Sequence, residues 1–163
     1  VESQVEQSQQ WLQTLLSLMG ITATVTKEGF AKIESDRDSD WLNIEPANLT
    51  PQQQEQLIGD KGENLDAIQY LANTLVNLKL DSAAQKSLTI ELDGYRTRRY
   101  DELLSLSEST AEQVRQTGKE IEIPNLSSAE RKQIHTLLQD AEDLATESRG
   151  QEPNRRLVVR LQQ

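Results

Sequence analysis

The sequence predicts an α+β protein built as two small α/β-sandwich-like domains joined by a helix. Three observations carry that reading. Apolar residues recur at helical spacing in some stretches and at every second position in others, so both element types are present. Up to Gly94 the order is helix, strand, strand, helix, glycine-bounded loop, helix, strand, which places helices on one face of a small sheet. The stretch that follows Gly94 is polar and helical, as expected of a connector, and a second set of strand and helix signals comes after it.

The elements follow in chain order. In SQVEQSQQWLQTLLSLMG the residues Val5, Leu12, Leu15, Leu16 and Met19 share a helical face, and Gly20 is placed as a C-cap. ITATVT alternates Ile21, Ala23 and Val25 with threonines, GFAKIE continues the extended pattern, and WLNIE is a further short strand. Thr50 before Pro51 reads as an N-cap with proline at the first helical position, giving a helix over 51–58. Leu65, Ile68, Leu71, Ala72, Leu75 and Val76 form an apolar stripe that predicts a helix over 62–78. KSLTIELDGY is a strand on the alternation of Leu88, Ile90 and Leu92, and completes a first domain over residues 1–94.

The second domain, with its linker helix, covers 95–163. RTRRYDELLSLSESTAEQVRQTG is the connecting helix, ending at Gly118, and KEIEIP supplies a short strand. Ser127 stands three residues before Glu130, the capping-box spacing, and predicts a helix over 128–139. LATESRGQEPNRR reads as a loop and RLVVRL as the last strand.

Composition bounds the chemistry. With 35% hydrophobic but only 4% aromatic residues, the cores rest on Leu, Ile, Val and Ala. The absence of cysteine excludes disulfides, thiolate zinc sites and a cysteine nucleophile, and fits a reducing compartment. No apolar run reaches 18 residues, so direct membrane insertion is not expected. The chain opens on Val1 rather than methionine, so sequence preceding it is expected. The net charge of −10 is unevenly shared: residues 1–94 hold 6 Lys and Arg against 15 Asp and Glu, residues 95–163 hold 11 against 12. A nucleic-acid footprint would therefore be local, and C-terminal rather than N-terminal.

Two constellations point to such a footprint. In IGDKGENLDAIQYL, the loop Gly59-Asp60-Lys61-Gly62 joins two predicted helices. Glycine costs a helix about 0.5–1 kcal/mol against alanine, so the pair needs a reason. One is structural, a helix–helix turn. The other is close approach of a phosphate backbone to N–H groups at a helix N-terminus, where a Cβ would hold the sugar-phosphate chain away. Asp60 repels phosphate, and Lys61 at best compensates. The second constellation is Arg131 and His135, four apart on the helix predicted over 128–139, beside the apolar arc of Ile134, Leu137 and Leu138. A guanidinium fork grips phosphate, and an imidazole donates a hydrogen bond or stacks on a base. Arg155, Arg156 and Arg160 flank or enter the last strand, with Arg156 and Arg160 on one side of it, and would extend a basic patch around Arg131 or shield a sheet edge. For Arg96, Arg98 and Arg99 a structural pairing role is favoured over a groove.

The helix–strand–strand–helix prelude with its Gly-x-x-Gly loop resembles a KH domain of the prokaryotic (type II) topology, whose loop clamps about four nucleotides of a single strand. SSAERKQIHTLLQD with TESRGQEPNRRLVV resembles the Arg-x-x-x-His single-stranded nucleic-acid-binding domain, Arg131 and His135 matching its signature. With DGYRTRRYDEL between them, the whole chain is similar to the bacterial Jag family, also called KhpB or SpoIIIJ-associated proteins. The resemblance implies a cytoplasmic, non-catalytic single-stranded RNA-binding protein, with RNA preferred to DNA. It further implies a post-transcriptional regulator or RNA chaperone linked to cell division or envelope functions, and a small KH-domain protein as partner. Backbone contacts then fall to Gly59, Asp60, Lys61 and Gly62 in the first domain and to Arg131, His135, Arg155, Arg156 and Arg160 in the second. Members of that family often carry a separate N-terminal Jag domain, which these 163 residues do not include.

No cofactor or metal is expected. Asp36, Asp38 and Asp40 open like a calcium loop, but Trp41 stands where that loop needs glycine and Ala47 where it needs a bidentate glutamate. One histidine makes no His-based metal site, and no catalytic triad or phosphate-binding P-loop is present. The rival reading is a protein-interaction adaptor that uses the acidic face of the first domain.

Overall fold

Ser3 starts the first helix, α1 (Gln4–Leu18), by a capping box: its hydroxyl accepts the Glu6 N–H and its own N–H donates to the Glu6 carboxylate at 2.8 Å. The computed structural model describes residues 3–28, 39–78, 80–81 and 84–162. The chain divides into two units, Val1–Thr97 and Arg98–Gln163.

In the first unit three strands form one sheet, in the order β1 (Val25–Glu28), β2 (Asp40–Ile44), β3 (Leu88–Leu92). β1 runs antiparallel to β2, with Val25 opposite Ile44, and β2 runs parallel to β3, with Ile44 opposite Leu92. A parallel pair needs a crossover, which α2 (Pro51–Ile58) and α3 (Glu63–Asn77) supply. Thr50 caps α2 with its hydroxyl on the Gln53 N–H at 3.2 Å, and Pro51 occupies the first turn as the sequence predicts. Leu12 and Leu16 of α1, Leu57 of α2, Leu65 of α3 and Leu42, Ile44, Ile90 and Leu92 of the sheet are fully buried together. The helix order and the small sheet are those expected of an α+β domain.

Some details differ from expectation. The strand read over ITATVT is confined to Val25 onward, although Ile21, Ala23 and Val25 still bury alternately. The extended stretch GFAKIE and most of the acidic DRDSD run lie outside the described residues. On α3, Leu65, Ile68 and Ala72 face the core, but Leu71 and Leu75 are about half exposed. At about 100° per residue Leu71 lies roughly a further 60° around the helix from Ile68, past the edge of the sheet-facing arc.

The second unit holds most of α4 (Tyr95–Thr117), then β4 (Ile121–Ile123), α5 (Ser128–Leu138), β5 (Leu144–Arg149) and β6 (Arg156–Leu161). The sheet order is β4-β6-β5, antiparallel throughout. Leu103 and Val114 of α4, Ile123, Ile134 of α5, and Leu157 and Val159 of β6 make its core. The segment LATESRGQEPNRR, expected as a loop, is a strand over its first half: Leu144 pairs with Leu161 and Arg149 with Arg156. Only Leu144 of β5 is buried, so no apolar alternation announces it. The strand exists because β6 offers it a hydrogen-bonding ladder, a tertiary cause invisible in local pattern.

The arginines at the start of α4 act structurally, as the sequence reading favours for them. Arg96 donates to the Ile90 carbonyl at 2.7 Å and to Asp66 at 2.8 Å. Arg99 donates to Glu130 at 2.7 Å and to Glu102 at 2.6 Å, and the Glu130 hydrogen bond, set against partial burial, holds its pKa above the usual arginine value. Glu130 meanwhile completes the predicted capping box, accepting the Ser127 N–H at 2.8 Å, so one buried carboxylate both starts α5 and ties it to α4.

Candidate nucleic-acid interface

The Gly59–Gly62 loop turns sharply between α2 and α3. Gly59 has φ 73° and ψ −177°, Gly62 has φ 83°, and Lys61 between them also takes the left-handed conformation at φ 50°. Only glycine adopts the first of these without strain. A Cβ at Gly59 would stand 2.8 Å from the Asn64 side chain, and one at Gly62 would stand 2.8 Å from the Tyr95 ring. The missing Cβ atoms therefore make room for the protein's own Asn64 and Tyr95, not for an approaching phosphate chain. Asn64 completes the turn by donating to the Gln56 carbonyl at 2.7 Å. Gly62 is buried, Lys61 half-buried and Asp60 exposed, and α3 begins at Gly62 with no side chain capping its first turn.

In the second unit, α5 and β5 wall a cleft of about 430 Å³ lined by Ser128, Arg131, Lys132, His135, Thr146, Ser148, Glu152 and Arg155 among others. Helical spacing brings Arg131 and His135 onto this face together, as the sequence predicts. Their states differ. His135 is exposed, and its Nδ1 is hydrogen-bonded with Thr146 Oγ1 of β5, which fixes the ring. Arg131 is only 5% exposed. Its guanidinium donates to the Leu126 carbonyl at 2.7 Å, the Arg155 carbonyl at 3.4 Å and Ser128 Oγ at 3.2 Å, and is ion-paired with Glu152. Arg131 thus fastens α5 to the 150–155 loop as well as lining the cleft.

The structure gathers Arg131, His135 and Arg155 but leaves Arg156 and Arg160 outside the cleft. Leu157 lines the cleft, and Leu157 and Val159 belong to the core; strand alternation turns Arg156 and Arg160 to the opposite face of the sheet. Arg156 pairs there with Glu122 at 2.7 Å, and Arg160 donates to its neighbour Leu161's carbonyl at 3.3 Å. The expected patch of Arg131 with Arg156 and Arg160 does not form. Lys132, Thr146 and Glu152, which the sequence reading does not single out, enter instead. Lys132 is the exposed neighbour of Arg131, whereas Thr146 and Glu152 lie in the stretch read as loop, and only the β5–β6 pairing brings them opposite α5. Among the described residues no group of three or more His, Cys, Asp or Glu is placed to hold a metal ion, and no helix is long and apolar enough to cross a membrane.

Similarity to known proteins follows the same division. The family profile for the Arg-x-x-x-His domain, named for that signature, matches residues 101–161, which contain the cleft. The RNA-binding protein KhpB of Lactiplantibacillus plantarum is 35% identical over 128 residues, covering 78% of this chain and 39% of that protein. RNA-binding protein KhpB of Clostridium symbiosum is 32% identical over 105 residues, covering 64% of this chain and 46% of that protein. RNA-binding protein KhpB of Bacillus subtilis is 28% identical over 157 residues, covering 95% of this chain and 69% of that protein. The chain spans less than half the length of the first two relatives. With an Arg-x-x-x-His domain over its C-terminal part and these relatives matched along nearly its whole length, the chain belongs to the KhpB (Jag) family.

Proposed function

We propose that the protein binds single-stranded RNA without catalysing a reaction, and that the α5–β5 cleft is its principal site. The observation that carries this is the cleft itself: Arg131, Lys132, His135 and Arg155 converge on one concave surface in a chain whose net charge is −10. Basic side chains grip phosphates, and the fixed imidazole of His135 donates to or stacks on a base. The KhpB relatives carry RNA-binding in their names, which supports RNA ahead of DNA.

The first domain, residues 1–94, is read as a type II KH domain. Its helix–strand–strand–helix–helix–strand order, the parallel β2–β3 pair and the Gly59–Gly62 loop ahead of α3 support that reading. Around that loop Asp60, Glu63 and Asp66 face a single Lys61, so electrostatics favour the second domain, residues 95–163, for affinity. The same reading carries a cytoplasmic location, a small KH-domain protein as partner, and regulation of transcripts connected with division or the envelope.

The test is fluorescence anisotropy of labelled single-stranded RNA and DNA at two salt concentrations. Arg131→Ala is a poor probe, because it strips a buried anchor from the Leu126 carbonyl and Glu152 and mixes folding with binding. Lys132→Ala/His135→Ala removes two exposed groups instead. Expected are RNA binding that weakens as salt rises, and in the double variant a loss of roughly ten-fold in affinity with a shallower salt slope, about 0.7 less per lost phosphate contact. Absence of RNA binding by the unaltered protein at low salt would favour the adaptor reading.

A further inference from the structure

The cleft contains a carboxylate at the position where a phosphate would be expected. Arg131 has two kinds of partner. The Leu126 and Arg155 carbonyls and Ser128 Oγ are neutral and hold the guanidinium in place from within the domain. Glu152 is its charged partner among the described residues, and the two differ in exposure: the Arg131 side chain is 5% exposed, the Glu152 side chain 57%. Glu152 belongs to the segment between β5 and β6, where residues 150–155 are exposed. A buried guanidinium left without a counter-charge is strongly destabilising, so an anion is needed there whether or not nucleic acid is bound. Carboxylate and phosphodiester oxygens suit the same guanidinium fork.

We propose that Glu152 is a resident occupant of the phosphate seat at Arg131, which a phosphodiester of the bound strand displaces. This rests on the reading of the cleft as an RNA site. In the unbound protein Glu152 neutralises Arg131 and keeps the domain folded; in the complex the backbone phosphate takes over the same donors and Glu152 turns to solvent. The exchange swaps one ion pair for another, so Glu152 sets how much of the attraction of Arg131 is available to RNA, and it disfavours ligands too short to supply further contacts with Lys132 and His135. Glu147, the other carboxylate lining the cleft, has no such role, because it is paired with Arg149 at 2.5 Å.

The test compares the full chain with Glu152→Gln, Glu152→Asp and Glu147→Gln, using anisotropy of a labelled single-stranded oligouridylate at low salt, with thermal melts to establish folding. Glu152→Gln is expected to bind roughly three-fold or more tightly than the unaltered protein, since an exposed competing carboxylate is worth an ion pair of the ordinary surface kind. Glu152→Asp keeps the charge but shortens the reach, so a gain in affinity there separates displacement from a change in net charge, and serves if the glutamine variant fails to fold. Glu147→Gln removes the same charge without freeing Arg131 and is expected to gain less than half as much. Equal or weaker binding by both Glu152 variants, or an equal gain from Glu147→Gln, overturns the proposal while leaving the RNA site standing. Failure of every form, the unaltered protein included, to bind the oligouridylate overturns the RNA reading and the proposal with it.

Discussion

At the scale of single residues, the same side chain often serves the fold before it serves a ligand. Gly62 shows this most directly. Its positive φ and the Tyr95 ring exclude a Cβ, so Gly62→Ala is expected to cost about 1–2 kcal/mol from the left-handed backbone alone, with more from displacing the ring. Urea unfolding of that variant measures it. A loss of RNA binding in a Gly62 variant would then report on folding as much as on contact, and Lys61→Ala is the cleaner probe of the loop. Arg131 makes the same point in the second unit. The sequence locates it correctly on the face of α5 that lines the cleft, but reads as a free fork what is a buried anchor already engaged by Leu126, Ser128, Arg155 and Glu152. A helical wheel gives a direction for a side chain and says nothing of the loop that closes over it.

At the scale of elements, α5 depends on Glu130. Its carboxylate accepts the Ser127 N–H and the Arg99 Nε–H while being only 5% exposed. Glu130→Ala removes the cap and leaves Arg99 with Glu102 alone, so a loss of roughly 1–3 kcal/mol is expected, read as a lowered urea midpoint of the second unit. Helices are the elements best announced in the sequence, because their caps are local: Thr50-Pro51 and Ser127 with Glu130 mark the starts of α2 and α5. The strand β5 has no such announcement. Its residues Thr146, Glu147, Ser148 and Arg149 are polar, and its pairing with β6 is decided by a partner beyond the intervening turn. That one hidden strand is also why Thr146 and Glu152 escape a sequence reading of the cleft.

At the scale of the whole molecule, surface charge pairs tie stability to pH. The Arg115 hydrogen bond holds Asp143 below its ordinary 3.8, the Arg149 hydrogen bond holds Glu120 below 4.5, and Thr26 with Asn43 holds Glu45 below 4.5. Each folded-state pKa is lowered, so each contribution is complete above the ordinary value and is lost as pH falls through the lowered one. Thermal melts are expected to show a midpoint unaffected by these groups near neutrality and falling once pH drops below 4.5, with the fall reduced by added salt because the pairs are exposed. The charge asymmetry read from the sequence, −9 over residues 1–94 against −1 over 95–163, agrees with the placing of the basic cleft in the second unit. What the sequence by itself determined is whatever local chemistry dictates: helix caps, the apolar periodicity of both cores, the glycines bounding the first loop, and the four-residue spacing that puts Arg131 and His135 on one face. The tertiary structure alone decided the pairing of β5 with β6, the turning of Arg156 and Arg160 away from the cleft, and the meeting of Arg131 with Glu152. These depend on which distant segments share a sheet, and strand pairing is set by burial and hydrogen bonding across the fold rather than by neighbours along the chain.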